Sequence, residues 1–377
     1  MRNYGELLHN ATLQSTAVME ASLAAISNSK FRLYEVPIAY NASAEKDLLK
    51  IDVSTTITLA IFNSLPQTKQ ETVTVQVNTV NVKVIDQNGE VLPAQIEPFV
   101  VKGKGIRKDS YLLVFHVDLP RLGMKQIQLA YEKSSKSTFI ANVELAEREN
   151  KDFTFPVDKE FPKEFKTVTV KAVALKTKQI ETTHDLRTGL LKTIKTAASS
   201  EQTRLSQKMM LYTNSRGGPY LIRSESLSTE ELSDVGFVFV VKGALQQTVH
   251  VINKFYSNHF VAREVSEGEG SNLQIGMHID IRSLQNSEVI VRFAVASRPF
   301  ELFTDSIGLH MTKRNYFSSL PVGKNYYPMS SSMFVQDNET RITIVSNVEH
   351  GCSGQKDGFE IMLGQRDIRA MGTAKIQ

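Results

Sequence analysis

The 377-residue chain contains one cysteine, Cys352, and no tryptophan. A single thiol excludes an internal disulfide and a cysteine-rich metal site. Charge of neither sign dominates, because the chain has 44 basic and 40 acidic side chains, and no block of lysine and arginine stands out. We therefore expect no nucleic-acid partner. No run of about 18 apolar residues occurs, which predicts no membrane segment, and residues 1–6 lack the apolar core of a signal peptide.

Apolar residues follow two different periods along the chain. Over residues 5–27 they recur at helical spacing, which predicts a helix. From Phe31 onwards they alternate with polar residues in short runs such as Val73, Val75 and Val77. Asn88-Gly89 is a strong hairpin turn signal. Short alternating runs separated by turns predict antiparallel sheets.

The change of period divides the chain into four segments. Residues 1–29 form the predicted helix, and residues 30–133 a small antiparallel β-sandwich. Residues 134–165 are polar and charged without clean periodicity, which indicates a linker. Residues 166–377 again consist of strands, and no repeat of 20 to 50 residues is evident.

Two short motifs lie within the small sandwich, IFNSLP beginning at residue 61 and DLPRLGMK beginning at residue 118. The larger β segment carries five more in a fixed order, namely Asp185-Leu186-Arg187-Thr188-Gly189-Leu190-Leu191-Lys192, Gly217-Gly218-Pro219-Tyr220-Leu221-Ile222, Asn325-Tyr326-Tyr327-Pro328, Gln336-Asp337-Asn338-Glu339-Thr340-Arg341 and Gly358-Phe359-Glu360-Ile361-Met362.

This succession resembles the C-terminal β region of the family 38 glycoside hydrolases, the Golgi and lysosomal type α-mannosidases. The resemblance implies a mainly β fold, with a short N-terminal helix, the small antiparallel sandwich, and a larger β supersandwich of the galactose-mutarotase-like type. Residues 1–29 correspond to the end of a helical bundle. The resemblance covers nearly the whole chain but only the middle-to-late part of a full enzyme. We therefore expect a chain truncated at both ends.

The resemblance also bears on catalysis and on metal binding. In this family the nucleophile and the zinc ligands lie in an N-terminal α/β domain, whose His-Asn-Asp-Pro-Gly-Trp type motif does not occur here. We therefore expect no catalytic residue, no metal ligand and no cofactor in this chain, zinc being implied only for the missing domain. A pocket arginine followed by glycine, which the family carries after its last motif, is also absent from the end of this sequence.

Tyr220 is the substrate-binding residue that the resemblance implies. The matching tyrosine of the family reaches from the β region into the sugar pocket, and a phenol offers a sugar both an apolar ring and a hydroxyl. The alternative is a structural tyrosine in a sheet, which we favour for the chain in isolation. Asn325, Tyr326 and Tyr327 are further candidates, for which a structural role is favoured over ligand contact.

Two other positions have a structural and a functional interpretation. Arg341 begins a strand, where pairing with a carboxylate such as Asp337 is the expected role. His278 and Asp280 would face the same side of a strand and could share a metal ion. No third ligand with suitable spacing is present, so a polar strand position is favoured.

The resemblance therefore implies a supporting role in the processing of N-glycans and other mannose-containing glycans. The chain would pack against a catalytic domain, line part of its sugar pocket, and not hydrolyse glycosides alone. Its exposed sheet edge would favour self-association. The alternatives are a stand-alone carbohydrate- or partner-binding module and an incomplete gene product without function. The family implies the Golgi or lysosomal lumen, with which sequons at Asn10, Asn41 and Asn338 are compatible.

Overall fold

The computed structural model describes residues 2–27, 48–101, 105–147, 157–199, 201–214, 227–233, 235–265, 268–280, 284, 287–295 and 300–366. Within these residues the fold is mainly β, as predicted, and strands numbered in chain order form five sheets. One α-helix, α1 (Arg2–Ser27), precedes the strands. No helix among the described residues has the length and apolar character needed to cross a membrane.

Two four-stranded sheets form the small sandwich. Their strand orders are β1-β7-β3-β4 and β2-β6-β5-β8. The strands are β1 (Ile57–Phe62), β2 (Lys69–Val77), β3 (Val82–Asp86), β4 (Val91–Leu92), β5 (Ala94–Val101), β6 (Gly105–Leu119), β7 (Met124–Tyr131) and β8 (Thr138–Ile140).

A six-stranded sheet, the central sheet, lies next to the small sandwich in the order β10-β9-β16-β17-β18-β19. Its strands are β9 (Asn142–Ala146), β10 (Thr167–Val170), β16 (Phe237–Lys242), β17 (Gln246–Ile252), β18 (Tyr256–Arg263) and β19 (Gln274–Ile279). All pairs are antiparallel except β9 with β10.

The remaining strands form a nine-stranded sheet and a four-stranded sheet. The nine-stranded sheet has the order β11-β12-β13-β14-β20-β27-β26-β23, with β15 also paired to β14. Its strands are β11 (Val173–Lys176), β12 (Ile180–His184), β13 (Leu191–Thr196), β14 (Thr203–Asn214), β15 (Leu227–Glu231), β20 (Ser287–Val295), β23 (Tyr327–Met329), β26 (His350–Gln355) and β27 (Gly358–Arg366). The four-stranded sheet has the order β22-β21-β24-β25, from β21 (Glu301–Asp305), β22 (Met311–Arg314), β24 (Ser332–Gln336) and β25 (Arg341–Val345).

The central sheet is buried on both faces. Successive side chains of a strand point to opposite sides, and here each side enters an apolar core. In β16, Phe237, Phe239 and Val241 enter the apolar core shared with the small sandwich. Val238 and Val240 enter the core shared with the nine-stranded and four-stranded sheets. The five residues are all buried. The sheet therefore belongs to two cores at once and joins them.

The segment predicted as a linker, residues 134–165, contains two strands, so that prediction is wrong for residues 138–146. β8 adds in parallel to β5 of the small sandwich, and β9 pairs with β16 of the central sheet. The periodicity is obscured because Phe139 and Ile140 stay partly exposed while Ala141 and Val143 are buried. The chain thus passes from one core to the next through sheet structure.

A buried polar contact also joins the small sandwich to the central sheet. The side-chain amide of Gln95 in β5 donates to Glu97 Oε1 (2.6 Å) and to the Gln246 carbonyl (3.0 Å). Its oxygen accepts from the backbone N–H of Leu245 at 2.8 Å. A Cβ at Gly243 would lie 2.0 Å from this side chain, so glycine is needed there for Gln95 to insert.

The same contact contains a carboxyl group with an unusual pKa. Glu97 is 2% exposed, and its Oε1 also accepts from Gln246 Nε2 at 2.9 Å. Burial raises the pKa of Glu97 to about 7, although both amides and the charge of Arg263 act in the opposite direction. The folded protein therefore holds a proton on Glu97 at pH values where the unfolded chain, with a carboxyl pKa near 4.5, does not.

This difference predicts a pH dependence of the free energy of unfolding. Because the folded pKa is raised, the stabilising contribution of Glu97 is complete below about pH 4.5 and is lost as the pH rises through about 7. Glu97→Gln should remove this slope. In urea unfolding, the free energy of unfolding of the variant minus that of wild type should rise by roughly 1–3 kcal/mol between pH 4.5 and pH 8.

Glu301→Gln is the matched control, since the hydrogen bond from Lys313 lowers the pKa of Glu301. The Glu301→Gln substitution should therefore change the pH dependence of the free energy of unfolding only below about pH 4.5. A wild-type slope that survives in Glu97→Gln would contradict the assignment.

Candidate functional site

Three strands of the nine-stranded sheet end side by side at one edge. Thr213 near the end of β14 pairs with Ser287 at the start of β20, and Ser287 pairs with Arg366 at the end of β27. β14 and β15 pair up to Asn214 and Leu227, so residues 215–226 connect them at this edge. Tyr220, the predicted sugar-contacting residue, belongs to that connection and lies outside the described residues.

A buried polar group lies on the outer face of the same three strands. We call it the Glu360 cluster, and it comprises Tyr212 of β14, Arg292 of β20, Glu360 of β27 and Tyr326. The Glu360 side chain is fully buried, whereas that of Arg292 is about one quarter exposed. Apolar side chains surround the cluster, namely Met210, Ile290, Val322 and Met362.

The other three side chains of the cluster all donate to the Glu360 carboxylate. The Tyr212 hydroxyl lies 3.0 and 2.9 Å from its two oxygens, and the Tyr326 hydroxyl lies 2.7 Å from Oε1. Arg292 donates through Nε (3.0 Å) and Nη2 (2.8 Å) to Oε2. Nη2 also contacts the Tyr212 hydroxyl at 2.6 Å. Charge-assisted bonds of this kind are short and strong, so they fix the four side chains relative to one another.

The electrostatics of the cluster favour a structural role over acid–base chemistry. Burial, followed by the charge of Glu360, raises the pKa of both tyrosines well above the ordinary value. Partial burial alone would lower the pKa of Arg292. The neighbouring Glu360 carboxylate outweighs this effect, so the pKa of Arg292 is raised. Three protein side chains, one of them cationic, occupy the two Glu360 oxygens with hydrogen bonds, so the carboxylate is committed to contacts within the protein. The cluster instead fastens the segment around Tyr326 to the sheet.

Comparison with known proteins identifies the group to which this architecture belongs. A model described as the glycosyl hydrolases family 38 C-terminal domain matches residues 175–370, about half of the chain. The chain belongs to glycosyl hydrolase family 38. The resemblance inferred from the sequence is thereby confirmed, and the matched region includes the nine-stranded sheet and the Glu360 cluster.

Individual family 38 relatives are distant and much longer. "Alpha-mannosidase 2x" of Mus musculus is 24% identical over 353 residues, covering 89% of this chain and 30% of the relative. "Alpha-mannosidase 2" of Drosophila melanogaster is 25% identical over 336 residues, covering 83% and 29%. "Lysosomal alpha-mannosidase" of Mus musculus is 26% identical over 221 residues, covering 52% and 21%. The chain therefore spans under one third of the length of each of these three relatives.

Solved family 38 structures share the fold. The crystal structure of a family 38 glycosyl hydrolase from Enterococcus faecalis superimposes with a TM-score of 0.52 and 13% identity. The match covers 84% of this chain and 42% of that protein. At this identity the likeness supports the β architecture and nothing finer.

The family motif at residues 185–192 encodes a turn. Asp185 Oδ1 accepts from the backbone N–H groups of Arg187 and Thr188, both at 2.9 Å, and Oδ2 pairs with Lys192 at 2.8 Å. Burial would raise the pKa of Asp185, but these contacts outweigh it and lower the pKa to about 2. Gly189 has φ +69°, and a Cβ there would lie 2.3 Å from Val251. The motif therefore specifies the backbone where the sheet packs on its neighbour.

The family motif around Tyr326 also has structural contacts. Asn325 is buried, and its side chain accepts from the Phe317 N–H (2.8 Å) and donates to the Phe317 carbonyl (3.1 Å). The Tyr327 hydroxyl donates to the Asn315 carbonyl at 2.7 Å. These bonds close the segment of residues 315–327 upon itself, while Tyr326 anchors it to Glu360. They support the structural interpretation favoured from sequence.

The remaining candidates occupy separate places. Arg341 donates to Gln336 Oε1 at 3.0 and 2.6 Å and lies over the Phe334 ring at 4.3 Å. His278 lies in β19, at the edge of the central sheet, and Asp280 follows that strand. No group of three histidine, cysteine, aspartate or glutamate side chains able to hold a metal occurs in the described ranges.

Sequence reasoning missed three members of the Glu360 cluster, namely Tyr212, Arg292 and Glu360 itself. A signal was present, because each carries a polar side chain on a strand otherwise rich in apolar residues. Arg292, for example, follows Val289, Ile290 and Val291. The pairing of these polar positions depends on strand order, since β14, β20 and β27 become neighbours only in the folded sheet.

The cluster predicts different costs for two adjacent tyrosines. Tyr326→Phe removes a hydrogen bond to a buried carboxylate and should lower the free energy of unfolding by about 1.5–3 kcal/mol. Tyr327→Phe removes a bond to a backbone carbonyl and should cost about 0.5–1.5 kcal/mol. Urea unfolding of both variants measures the difference. Equal losses, or a larger loss for Tyr327→Phe, would show that the cluster does not anchor this segment.

Proposed function

We propose that this chain supports the catalytic domain of an α-mannosidase and lines one side of its sugar pocket, in the processing of mannose-containing glycans. The family match carries the first part of this proposal. The observation that carries the second is the sheet edge where β14, β20 and β27 end together, one residue pair beyond Tyr212 of the Glu360 cluster. A rigid sheet edge can hold a connecting loop, and with it Tyr220, in a defined position.

The mechanism assigned to the chain is positioning. Tyr220 would present its ring and hydroxyl to a mannose residue, since a phenol combines apolar contact with hydrogen bonding. The Glu360 cluster would fix the strands that flank this loop. Because small displacements at a reacting sugar reduce catalysis strongly, such support contributes to the rate without touching the reacting atoms.

Hydrolysis itself is assigned to a catalytic domain outside this chain. Glycoside hydrolysis generally uses a pair of carboxyl groups, of which one donates a proton. Glu360 is held by three donors, Asp185 by backbone amides of its turn, and Asp305, at the end of β21, by Ser331 and Ser332. Zinc, which the resemblance implies for the catalytic domain, would likewise bind there. The proposed compartment is the lumen of the Golgi or the lysosome, as the names of relatives such as "Lysosomal alpha-mannosidase" suggest.

A stand-alone carbohydrate- or partner-binding module is the second candidate. The observation that favours it is the continuity of the two apolar cores. The central sheet contributes to both, and neither includes a side chain of helix α1 among those that the structure describes. A chain with two filled cores can fold as an independent unit, which a binding module requires.

Turnover and association discriminate between the two candidates. With an aryl α-mannoside and Zn²⁺, the purified chain should show no hydrolysis, and titration with mannose should give a Kd weaker than about 1 mM, because only one side of the pocket is present. Co-expression with the N-terminal part of an α-mannosidase 2 relative should give a complex. In that complex Tyr220→Phe should lower kcat/KM at least about 10-fold, while Tyr327→Phe leaves it near wild type.

Chelator-sensitive hydrolysis by the chain alone would contradict the proposal. A mannose Kd below about 0.1 mM for the chain alone, with no association on co-expression, would support the module instead.

A further inference from the structure

The hairpin between β24 and β25 has a loop whose conformation is held by one residue. Asp337 Oδ1 accepts from the backbone N–H groups of Glu339 (2.8 Å) and Thr340 (2.7 Å). The Asp337 N–H donates to the Thr340 carbonyl at 3.0 Å. An aspartate that accepts from the amides two and three residues later is sufficient to define such a turn. The loop therefore does not need the side chain of Asn338.

Asn338 stands at the tip of this loop with its side chain in solvent. Asn338 and Thr340 are both exposed, and neither side chain makes a hydrogen bond within the described ranges of the chain. Together with Glu339 they form the sequon Asn-Glu-Thr, the acceptor sequence for N-linked glycans. The Asn338 amide and the Thr340 hydroxyl of this sequon are therefore exposed to solvent.

The strand that follows the loop is an edge strand. Among the described residues, β25 ends the order β22-β21-β24-β25 and pairs with β24 alone. Ile342 and Ile344 pack on the apolar core, while Val345 is 77% exposed. An unpaired strand edge with apolar and β-branched residues is a template for pairing with another chain, and proteins usually cover or charge such edges.

We propose that Asn338 carries an N-linked glycan that shields the edge of β25. In this reaction Asn338 Nδ2 forms a bond to the anomeric carbon of a lipid-linked oligosaccharide. The bond from that carbon to the pyrophosphate oxygen breaks, and the lipid pyrophosphate leaves with the electron pair and takes up the amide proton. The inference rests on the lumenal compartment of the proposed function, where this donor is found. A bulky, hydrated group at the start of β25 then hinders the approach of a second strand.

The test uses the full chain behind a cleavable secretory leader in a eukaryotic cell, so that its result does not depend on mannosidase activity. An Asn10→Gln/Asn41→Gln variant leaves 338 as its single sequon. We expect this variant to be secreted with one glycan, seen as a gel-mobility shift that peptide N-glycosidase reverses. Adding Asn338→Gln or Thr340→Ala should abolish the shift, and adding Thr340→Ser should retain it.

Two further measurements concern folding and shielding. Asn338→Gln should leave the unfolding midpoint unchanged, because the side chain makes no bond in the fold. Removal of the glycan should increase self-association measured by light scattering, and Val345→Lys, which places a charge on the exposed edge, should reverse that increase. Secreted, folded protein without a glycan at Asn338 would overturn the proposal, as would self-association that is unaffected by its removal. Neither outcome bears on turnover or on assembly with a catalytic domain.

Discussion

Burial of the central sheet on both faces is the constraint on which the rest of this structure depends. A sheet with one solvated face needs apolar residues only at alternate positions. β16 instead carries apolar residues at five consecutive positions, because Phe237, Phe239 and Val241 serve one core while Val238 and Val240 serve the other. Since hydrophobic burial dominates folding stability, two cores that share one sheet should stabilise each other.

The shared sheet also determines how the Glu360 cluster is supported. The inner face of the nine-stranded sheet packs on the central sheet, which leaves its outer face for the Glu360 cluster. The cluster can hold strand ends in place only because the sheet beneath it is itself fixed. A buried ion pair is weak evidence for stability, because desolvation of the two charges offsets their attraction. The Glu360 cluster therefore matters chiefly for the relative positions of β14, β20, β27 and the segment around Tyr326.

Local patterns in the sequence were sufficient for the fold class. Alternation along β2 and the Asn88-Gly89 turn predicted antiparallel strands, and the helical period of residues 5–27 predicted α1. Local patterns failed where a strand's partners lie far away in sequence. β9 lies in the segment predicted as a linker, because its pairing partner β16 comes almost one hundred residues later in the chain.

The candidate site shows the same limit. The motif around Tyr326 was visible in the sequence, but its anchor was not, because Glu360 reaches Tyr212 across 148 residues through the order of the strands. Gln95 and Glu97 carry no sequence signal of their own, although they connect the small sandwich to the central sheet. Short-range signals thus identified the turns and the strands. The contacts that join distant strands required the three-dimensional arrangement.

Hydrogen exchange during urea unfolding tests the shared sheet most directly. Phe239→Ala opens the core on the small-sandwich side and should cost about 3–5 kcal/mol. If the central sheet joins both cores into one cooperative unit, the amides of β6 and those of β14 and β20 should lose protection together, at one lowered urea concentration. Early loss of protection in β6, with β14 and β20 protected as in wild type, would show that the two units unfold independently and would contradict the account.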